Sequence, residues 1–269
     1  MSESSKTPTR LSVWSSAKPE AKAAGAGTVP LVRALSKLGL ASRTQTEAWI
    51  AAGRLAVNGR VSRDPKLAVV PEKDQFTLDG VLLQQQARNC VVLHKPRGYV
   101  TTRNDEKGRK TVFDLLPESQ QQWHAVGRLD MNTSGLLLLT NDSRLSSFLT
   151  DPVNAIPREY VVSVDGKVSE ETLPKLTAGV MDEGEELRAT KVSVRKLSGR
   201  ESHLFVTLQE GKNRELRRLF KAVGHEVNKL KRIAFGPVLL GELDSGKHRE
   251  LTAEEWQALT ALMGPAARK

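Results

Sequence analysis

The sequence has very few residues of several informative kinds. Cys90 is its single cysteine, which excludes an internal disulfide and a metal site built from several cysteines. Apolar runs are short, and residues 135–139 form the longest notable one, so no stretch has the length of a transmembrane helix. The opening segment MSESSKTPTR lacks the apolar stretch of a secretory signal. Together these features predict a cytoplasmic protein without membrane contact.

Aromatic residues are also scarce. They make up 4% of the chain, and its two tyrosines are Tyr99 and Tyr160. This scarcity disfavours a broad surface on which single-stranded nucleic acid would stack. The five histidines show no spacing typical of metal ligands, so we expect no bound metal. A tyrosine used for chemistry or base stacking has to be one of these two.

Positive charge, by contrast, is in excess. The chain has 41 Lys and Arg against 31 Asp and Glu, which gives a net charge of +10 and a pI near 9.8. An excess of this size favours a polyanionic partner, most often nucleic acid. On charge alone, a merely basic protein is the alternative. The 39% hydrophobic content is that of a folded chain, and 269 residues allow one large domain or two ordinary ones.

The first third of the sequence predicts an N-terminal tail followed by a small folded unit. Residues 1–28 show no hydrophobic period and predict a disordered basic tail. Residues 29–82 predict two short helices and a hairpin, whose turn is Asn58-Gly59 because both turn residues need positive φ. A unit of this size is marginal alone, which predicts an appendage of a larger domain. Residues 83–89 are polar and predict the linker.

One helix boundary in this unit is also predicted by the sequence. Ser42 is a suitable N-cap for the second helix, and Gln45 stands three residues later as its capping-box partner.

Residues 90–262 predict a second domain rich in strands, followed by a tail at residues 263–269. The run at residues 136–139 is continuous and apolar, which indicates a strand buried on both faces. Residues 160–165 and 204–209 alternate in polarity, as half-buried strands of an antiparallel or mixed sheet do. Strands and helices do not alternate regularly, which disfavours a doubly wound parallel sheet. The predicted fold class is α+β, with a mixed, mainly antiparallel sheet flanked by helices.

Residues 213–223 carry the strongest amphipathic pattern. Two stripes with the spacing i, i+3, i+4, i+7 lie on opposite faces of the predicted helix. The apolar stripe is Leu216, Leu219, Phe220 and Val223, and the cationic stripe is Arg214, Arg217, Arg218 and Lys221. The segment Gly211-Lys212-Asn213 predicts an asparagine N-cap and a phosphate-binding site at the start of this helix. A solvated cationic face is the alternative, although four cations in one row repel each other unless an anion is near.

Asp130 lies in a short polar loop directly before the apolar run. A carboxylate beside a core strand has to be hydrogen-bonded or paired, because its burial is otherwise costly. The residue types alone favour a turn aspartate that caps Thr133 or Ser134. The alternative is a functional carboxylate.

Longer strings around these residues resemble a known enzyme family. Gly127-Arg128-Leu129-Asp130 followed by Asn132-Thr133-Ser134-Gly135-Leu136-Leu137-Leu138 resembles the catalytic signature of one group of pseudouridine synthases, which act on ribosomal RNA as synthase A of the small subunit or synthases B, E and F of the large one. Residues 211–220 resemble that family's C-terminal basic motif, and Arg158-Glu159-Tyr160 matches the motif of its active-site tyrosine. The unit at residues 29–82 resembles the S4 RNA-binding domain that usually precedes the catalytic domain. The resemblance covers about residues 30–260 and is strongest to the synthases of type B.

The resemblance implies an enzyme that isomerises one uridine of a folded RNA to pseudouridine. It implies that Asp130 attacks or deprotonates the ribose, that Tyr160 stacks on the base and assists proton removal, and that Arg217 pairs with Asp130. The target base has to leave its stack to reach the pocket. Because the reaction is an isomerisation, no cofactor and no metal are implied. The predicted RNA contacts are cations of both domains: Arg128, Lys212, Arg214, Arg218, Lys221, Arg33, Arg43 and Arg54.

The S4-like unit favours ribosomal over transfer RNA, and the resemblance favours large-subunit rRNA. We therefore expect structured rRNA or a ribosomal assembly intermediate as the partner, and a monomeric chain. A non-catalytic S4-type RNA-binding or assembly factor would explain the charge and the hairpin but not the string around Asp130. A glycoside hydrolase would need two cooperating carboxylates and a surface without a bias for polyanions.

Overall fold

The computed structural model describes residues 27–84 and 88–264. The predicted tails at residues 1–28 and 263–269, and the predicted linker at residues 83–89, lie in part outside the described residues. Contacts between Cα atoms divide the chain into two compact units, with the division between Gln84 and Gln85. In the described ranges, no helix is long and apolar enough to cross a membrane.

The described part of the N-terminal unit has two helices and six short strands. The helices are α1 (Leu31–Lys37) and α2 (Arg43–Ala51), and the strands are β1 (Val29–Pro30), β2 (Leu55–Val57), β3 (Arg60–Val61), β4 (Ala68–Val69), β5 (Phe76–Leu78) and β6 (Val81–Leu82). One antiparallel sheet has the order β3-β2-β5-β6, and β1 pairs with β4. The predicted helix–helix–hairpin order is confirmed.

Local chemistry explains the boundaries in this unit. The Ser42 hydroxyl accepts a hydrogen bond from the Gln45 N–H at 3.2 Å, which confirms Ser42 as the N-cap of α2. Asn58 and Gly59 join β2 to β3 with φ values of 49° and 77°, as the predicted hairpin turn requires. The unit has its own buried apolar cluster, which includes Leu31, Leu35, Ile50, Leu55 and Phe76.

The described part of the second unit has eleven strands, four α-helices and three short 3-10 helices. The strands are β7 (Cys90–Lys95), β8 (His124–Ala125), β9 (Ser134–Thr140), β10 (Arg158–Asp165), β11 (Val180–Asp182), β12 (Glu185–Leu187), β13 (Lys191–Lys196), β14 (Glu201–Leu208), β15 (Val227–Phe235), β16 (Val238–Leu239) and β17 (His248–Glu250). The α-helices are α3 (Ser143–Thr150), α4 (Thr172–Ala178), α5 (Glu215–Ala222) and α6 (Ala253–Ala261), and the 3-10 helices are Val112–Leu115, Glu118–Gln120 and Pro152–Asn154.

One large sheet organises this unit. Its main path has the order β13-β14-β10-β15-β9-β7-β17, with β16 on β15 and β8 on β9, while β11 and β12 form a separate hairpin. Neighbouring strands are antiparallel except β15 and β9, which run parallel. The predicted α+β class with a mixed, mainly antiparallel sheet is confirmed.

Strand β9 is buried on both faces, as its continuous apolar run predicts. Leu136 and Leu138 belong to a core cluster that includes residues of α3 and α6. Leu137 and Leu139 belong to a second cluster, which includes residues of α4 and α5. Alternate side chains of a strand point to opposite faces, so helices flank the centre of the sheet on both sides. The polar loop before β9 is thereby anchored to a strand that is buried on both faces.

The predicted asparagine cap at the basic helix is wrong. The helix α5 begins at Glu215, and the residue before it is Arg214, whose φ is 47°. The backbone N–H of Lys212 donates instead to the Glu215 carboxylate at 3.1 Å. The left-handed turn at Arg214 and this bond fix the start of the helix. The predicted apolar stripe is confirmed, since Leu216, Leu219 and Phe220 are buried.

Candidate active site

A cavity of about 170 Å³ opens in the second unit where the loop before β9 meets β10, β15 and the start of α5. It brings together six of the residues predicted from the sequence: Arg128, Asp130, Tyr160, Lys212, Arg214 and Arg217. Pockets for drug-sized ligands are typically about 300–1,000 Å³, so this cavity suits a smaller group, such as one heterocyclic ring.

The Asp130 carboxylate is left available by its surroundings. The Asp130 backbone carbonyl accepts from the Thr133 N–H at 3.0 Å, so the turn is closed by the main chain. Among the described residues, no hydrogen bond or ion pair within 4.0 Å holds the Asp130 side chain, which lines the cavity and is half-buried. The capping role that the residue types favour is therefore absent. A partly buried carboxylate without a partner is a candidate for chemistry rather than for structure.

A buried lysine clamps the loop that carries Asp130. Lys95 ends β7 and is fully buried, and its ammonium donates to the carbonyls of Asp130 at 2.9 Å and Thr133 at 2.8 Å. Burial lowers the pKa of Lys95 to about 8, and the negative charge of Asp130 opposes this shift. The clamp fixes the main chain at Asp130 and Thr133, so the point from which the Asp130 side chain enters the cavity is set in advance.

Gly135 allows β9 and β15 to approach closely beside this loop. Its φ is 108°, and a Cβ there would lie 2.1 Å from the Arg232 carbonyl oxygen and 2.6 Å from the Arg232 nitrogen. Backbone atoms cannot yield at such distances, so only glycine fits the position. The close approach brings Arg232, which is 2% exposed, to the wall of the cavity.

Tyr160 reaches the cavity from β10. It is 8% exposed and alternates along the strand with outward-facing residues. Two residues earlier, Arg158 is also buried, and its guanidinium donates to the carbonyls of Gln209 at 2.9 Å and Leu149 at 3.1 Å. These bonds tie the start of β10 to two neighbouring segments and hold the strand that positions Tyr160.

Arg217 lies in the same cavity but does not form the predicted ion pair. Its guanidinium donates to the carbonyls of Val227 at 2.7 Å and Asn132 at 3.2 Å, and no ion pair to Asp130 within 4.0 Å occurs in the described structure. Burial lowers the pKa of Arg217, while the charge of Asp130 opposes that shift. The two charges therefore interact across the cavity, and Arg217 contacts the Asp130 loop through Asn132.

The other cations predicted near α5 separate into two groups. Arg218 is tied to Asp182 at 2.5 Å and Glu185 at 2.6 Å, and Lys212 is tied to Glu210 at 2.6 Å. Arg128, Arg214 and Lys221 are exposed, and no ion pair within 4.0 Å involves them in the described residues. The prediction that this face presents four cations to an anion is therefore wrong at Arg218, because carboxylates of β11 and β12 hold its guanidinium.

The predicted cations of the N-terminal unit also differ in their surroundings. Arg33 on α1 and Arg43 on α2 are exposed. Two nitrogens of the Arg54 guanidinium, Nε and Nη2, donate to one carboxylate oxygen of Asp79, at 2.9 Å and 2.5 Å. Of these three, Arg33 and Arg43 are the ones that present an uncompensated charge to a polyanion.

Sequence reasoning missed three residues of this site: Lys95, Glu215 and Arg232. Each is at most 4% exposed. Their sequence signal is a charged residue placed in or beside an apolar segment, as in Val91-Val92-Leu93-His94-Lys95. A charged side chain is normally buried only when a partner compensates its charge. Here, carbonyl groups and the cavity itself surround these side chains. No group of three or more possible metal ligands occurs in the part of the chain that the structure describes.

Comparisons with known proteins agree with this geometry. A family model described as RNA pseudouridylate synthase matches residues 89–222, and a model of the S4 domain matches residues 29–74. Both matches fall on segments that the structure folds as separate units.

Several curated relatives match most of the chain. A ribosomal large subunit pseudouridine synthase B of Pseudomonas aeruginosa is 39% identical over 242 residues, which cover 87% of this chain and 62% of that protein. A protein of the same description from Bacillus subtilis is 37% identical, covering 86% of this chain and 96% of the relative. An uncharacterized RNA pseudouridine synthase of Aquifex aeolicus is 37% identical, covering 86% and 93%. The chain thus spans less than two thirds of the Pseudomonas protein but nearly all of the other two.

A solved structure supports the same assignment. A crystal structure of a pseudouridylate synthase superposes with a TM-score of 0.62 at 26% identity, covering 86% of this chain and 99% of that one. With a fold, a cavity and relatives that agree, the chain belongs to the RNA pseudouridylate synthase family and carries an S4 domain before its catalytic unit.

Proposed function

We propose that this protein converts one uridine of large-subunit ribosomal RNA to pseudouridine, with Asp130 as the catalytic residue. The observation that carries the proposal is the unpartnered Asp130 carboxylate in a cavity of ring size, on a loop clamped by Lys95. The choice of large-subunit rRNA rests on the relatives that carry this description.

The reaction breaks the bond between N1 of uracil and C1′ of the ribose, turns the base, and joins C5 to C1′. The proton that C5 loses is balanced by a proton that N1 gains. Asp130 acts on the ribose, as nucleophile or as base, while the uracil is detached. Tyr160 packs against the flipped base and assists removal of the C5 proton. Arg217 keeps a positive charge near Asp130. Atoms of substrate and product are the same, so the residues have only to orient, detach and reattach the base.

The target base has to leave its helix or stack to enter the cavity, and this costs a few kcal/mol. Exposed cations of the two units can offset that cost by binding phosphates. Arg128, Arg214 and Lys221 are exposed on the catalytic unit, and Arg33 and Arg43 are exposed on the S4 unit. We assign phosphate contacts to these five. Arg54, Lys212 and Arg218 have carboxylate partners, so they have less charge to offer.

Site-resolved mapping of pseudouridine in rRNA tests the proposal. Cells that lack the chain should lose pseudouridine at one position of large-subunit rRNA, and re-expression of the intact chain should restore it. A loss confined to small-subunit rRNA would refute the choice of rRNA. Unchanged modification of all rRNA, together with no activity of the purified chain on either rRNA, would refute the proposed function.

A further inference from the structure

The cavity contains buried polar atoms that the protein itself leaves without partners. Among the described residues these are Thr133 Oγ1, Glu215 Oε1, Arg217 Nε and Arg232 Nη2, and all four residues line the cavity. A buried polar atom without a hydrogen bond costs about 1–3 kcal/mol. Four such atoms around one space indicate a site made for a polar ligand, whose own groups complete the bonds.

Glu215 differs from the other three in its hydrogen-bonding chemistry. The arginine atoms are donors, and a hydroxyl can donate or accept, whereas a carboxylate oxygen only accepts. Glu215 is 4% exposed, and its Oε2 already accepts from the Lys212 N–H at 3.1 Å. This bond holds Oε2 and leaves Oε1 without a partner, on a residue that lines the cavity.

Uracil presents the matching pattern. Its Watson–Crick edge has one donor, N3–H, between two carbonyl acceptors, and enzymes that flip a base read this edge by hydrogen bonds. We propose that Glu215 is the specificity-determining residue for the base, its Oε1 accepting the N3–H of uracil while N–H groups of Arg217 or Arg232 donate to a carbonyl oxygen. This inference rests on the proposed function, because it names how that same site recognises its substrate.

The geometry of the uracil ring predicts a second role for the hydrogen bond to Glu215. N3 and C6 lie opposite each other, so a half-turn about the line through them exchanges N1 with C5 and O2 with O4. N3–H stays in place during that turn. A hydrogen bond from N3–H to Glu215 is therefore an edge contact that substrate and product make equally, and it can hold the detached base.

Cytosine at the target position should be rejected for the same reason. Its N3 carries a lone pair instead of a hydrogen, so two acceptors would meet at Glu215. A mismatch of this kind at a buried site typically lowers affinity by roughly five- to 150-fold, which is about 1–3 kcal/mol.

The variant Glu215→Gln reverses this pattern. Its amide oxygen has to accept from the Lys212 N–H, because an amide nitrogen cannot, and the NH₂ group then faces the cavity as a donor. We expect the preference for uridine over cytidine to fall at least about tenfold, since this donor suits the cytosine N3. The matched control is Glu210→Gln, which removes a carboxylate that pairs with Lys212 Nζ at 2.6 Å and lies outside the cavity lining. It should leave the preference unchanged.

The measurement is competition binding of full-length protein to two rRNA fragments that differ only in uridine or cytidine at the mapped target. An equal preference in Glu215→Gln and the parent protein would overturn the inference, and Glu215 would then only close the turn at residues 212–215. A preference lost equally in Glu210→Gln would overturn it too. If the parent protein modifies its uridine normally in these experiments, the proposed function stands whichever way Glu215 behaves.

A second measurement needs no folded Glu215→Gln. The parent protein should bind a fragment with N3-methyluridine at the target at least tenfold more weakly than the uridine fragment, because the methyl group replaces the donated hydrogen. Glu215→Ala removes the facing carboxylate and makes room, so it should lose most of that difference. Equal binding of the two fragments by the parent protein would refute the role of Glu215.

Discussion

Two neighbouring arginines on α5 have opposite surroundings. Arg218 forms ion pairs with Asp182 and Glu185, and its side chain is 18% exposed. Arg217 donates to two carbonyls, has no carboxylate partner within 4.0 Å among the described residues, and keeps a buried Nε without a bond. The protein supplies carboxylate partners to the guanidinium of Arg218. It leaves one nitrogen of the neighbouring Arg217 without a hydrogen bond.

The difference separates scaffold from site. A protein that folds alone satisfies its buried polar groups, and exceptions are rare enough that each one requires an explanation. The pocket around Asp130 contains several exceptions, whereas the cluster around Arg218 contains none in the described structure. Buried polar atoms without partners therefore distinguish the side of α5 that lines the cavity from the side that binds carboxylates. Substitutions should act on RNA chemistry in the first region and on stability in the second.

The largest effect is expected at Asp130. Asp130→Asn keeps the size and hydrogen-bonding capacity of the side chain but removes the charge that, in the proposed function, acts on the ribose. Stability and RNA affinity should change little, because the Asp130 side chain makes no bond in the described part of the fold and Lys95 binds the backbone. The single-turnover rate should fall to background. A residual rate above about a tenth of the parent rate, a barrier change of only about 1.4 kcal/mol, would contradict the assignment.

Lys95→Met tests whether the clamp is part of the site or of the scaffold. The variant removes donors from the carbonyls of Asp130 and Thr133, but it also removes a cation that is costly to bury. The two effects offset each other, so the free energy of unfolding at pH 7 should change by no more than about 1–2 kcal/mol. The rate should fall about a hundredfold, since small displacements of catalytic groups have effects of this size. Denaturant titration and single-turnover kinetics together check this, and a variant with normal rate would contradict it.

The pH dependence of stability should differ between this variant and the parent protein. The pKa of Lys95 is about 8 in the folded chain and about 10.4 when unfolded, so between these values the unfolded chain binds more protons. The Lys95 contribution to the free energy of unfolding therefore rises with pH over this window, by about 3 kcal/mol in total. Denaturant titrations of parent protein and Lys95→Met from pH 7 to 10.5 should show this rise as their difference. A constant difference would mean that Lys95 is not the buried cation described here.

Arg217→Ala and Arg218→Ala compare the two regions directly. Arg217→Ala should slow the reaction by tenfold or more at nearly unchanged RNA affinity, because it removes a charge and a donor beside Asp130. Arg218→Ala should instead lower the free energy of unfolding slightly without changing the rate, because it removes two partly exposed ion pairs, to Asp182 and Glu185. Rates, affinities and unfolding curves of both variants are the measurements. If both variants lost only affinity, both arginines would be ordinary phosphate contacts.

Much of the scaffold could be predicted because its signals are local. The Asn58-Gly59 turn and the Ser42 cap depend on neighbouring residues, and the buried strand β9 follows from one uninterrupted apolar run. The partners of Arg218 could not be predicted, because the β11–β12 hairpin lies more than 30 residues earlier in the chain and only the fold brings it to α5. Each stripe on a helix shows which face is polar, but not what that face meets.

The site itself was predictable in part. The sequence string around Asp130 and the position of Tyr160 led to two residues that the cavity brings together. Lys95 was not predicted, because a lysine at the end of a strand is normally solvated. Its burial depends on the pairing of β7 with β9, which places Lys95 opposite Gly135 and beside the loop.

The smallest effects are expected at the exposed cations around α5. Arg214 and Lys221 have no carboxylate partner within 4.0 Å among the described residues, and both are exposed. If they contact phosphates, Arg214→Ala and Lys221→Ala should each weaken RNA binding only a few-fold at moderate salt. Each should also reduce the slope of log affinity against log salt by about one, because one fewer counterion is released. Binding isotherms at several salt concentrations measure both quantities. The maximal single-turnover rate at saturating protein should stay close to that of the parent, since we assign both side chains to phosphate contacts. A salt slope equal to that of the parent in both variants would place the phosphate contacts elsewhere on the protein.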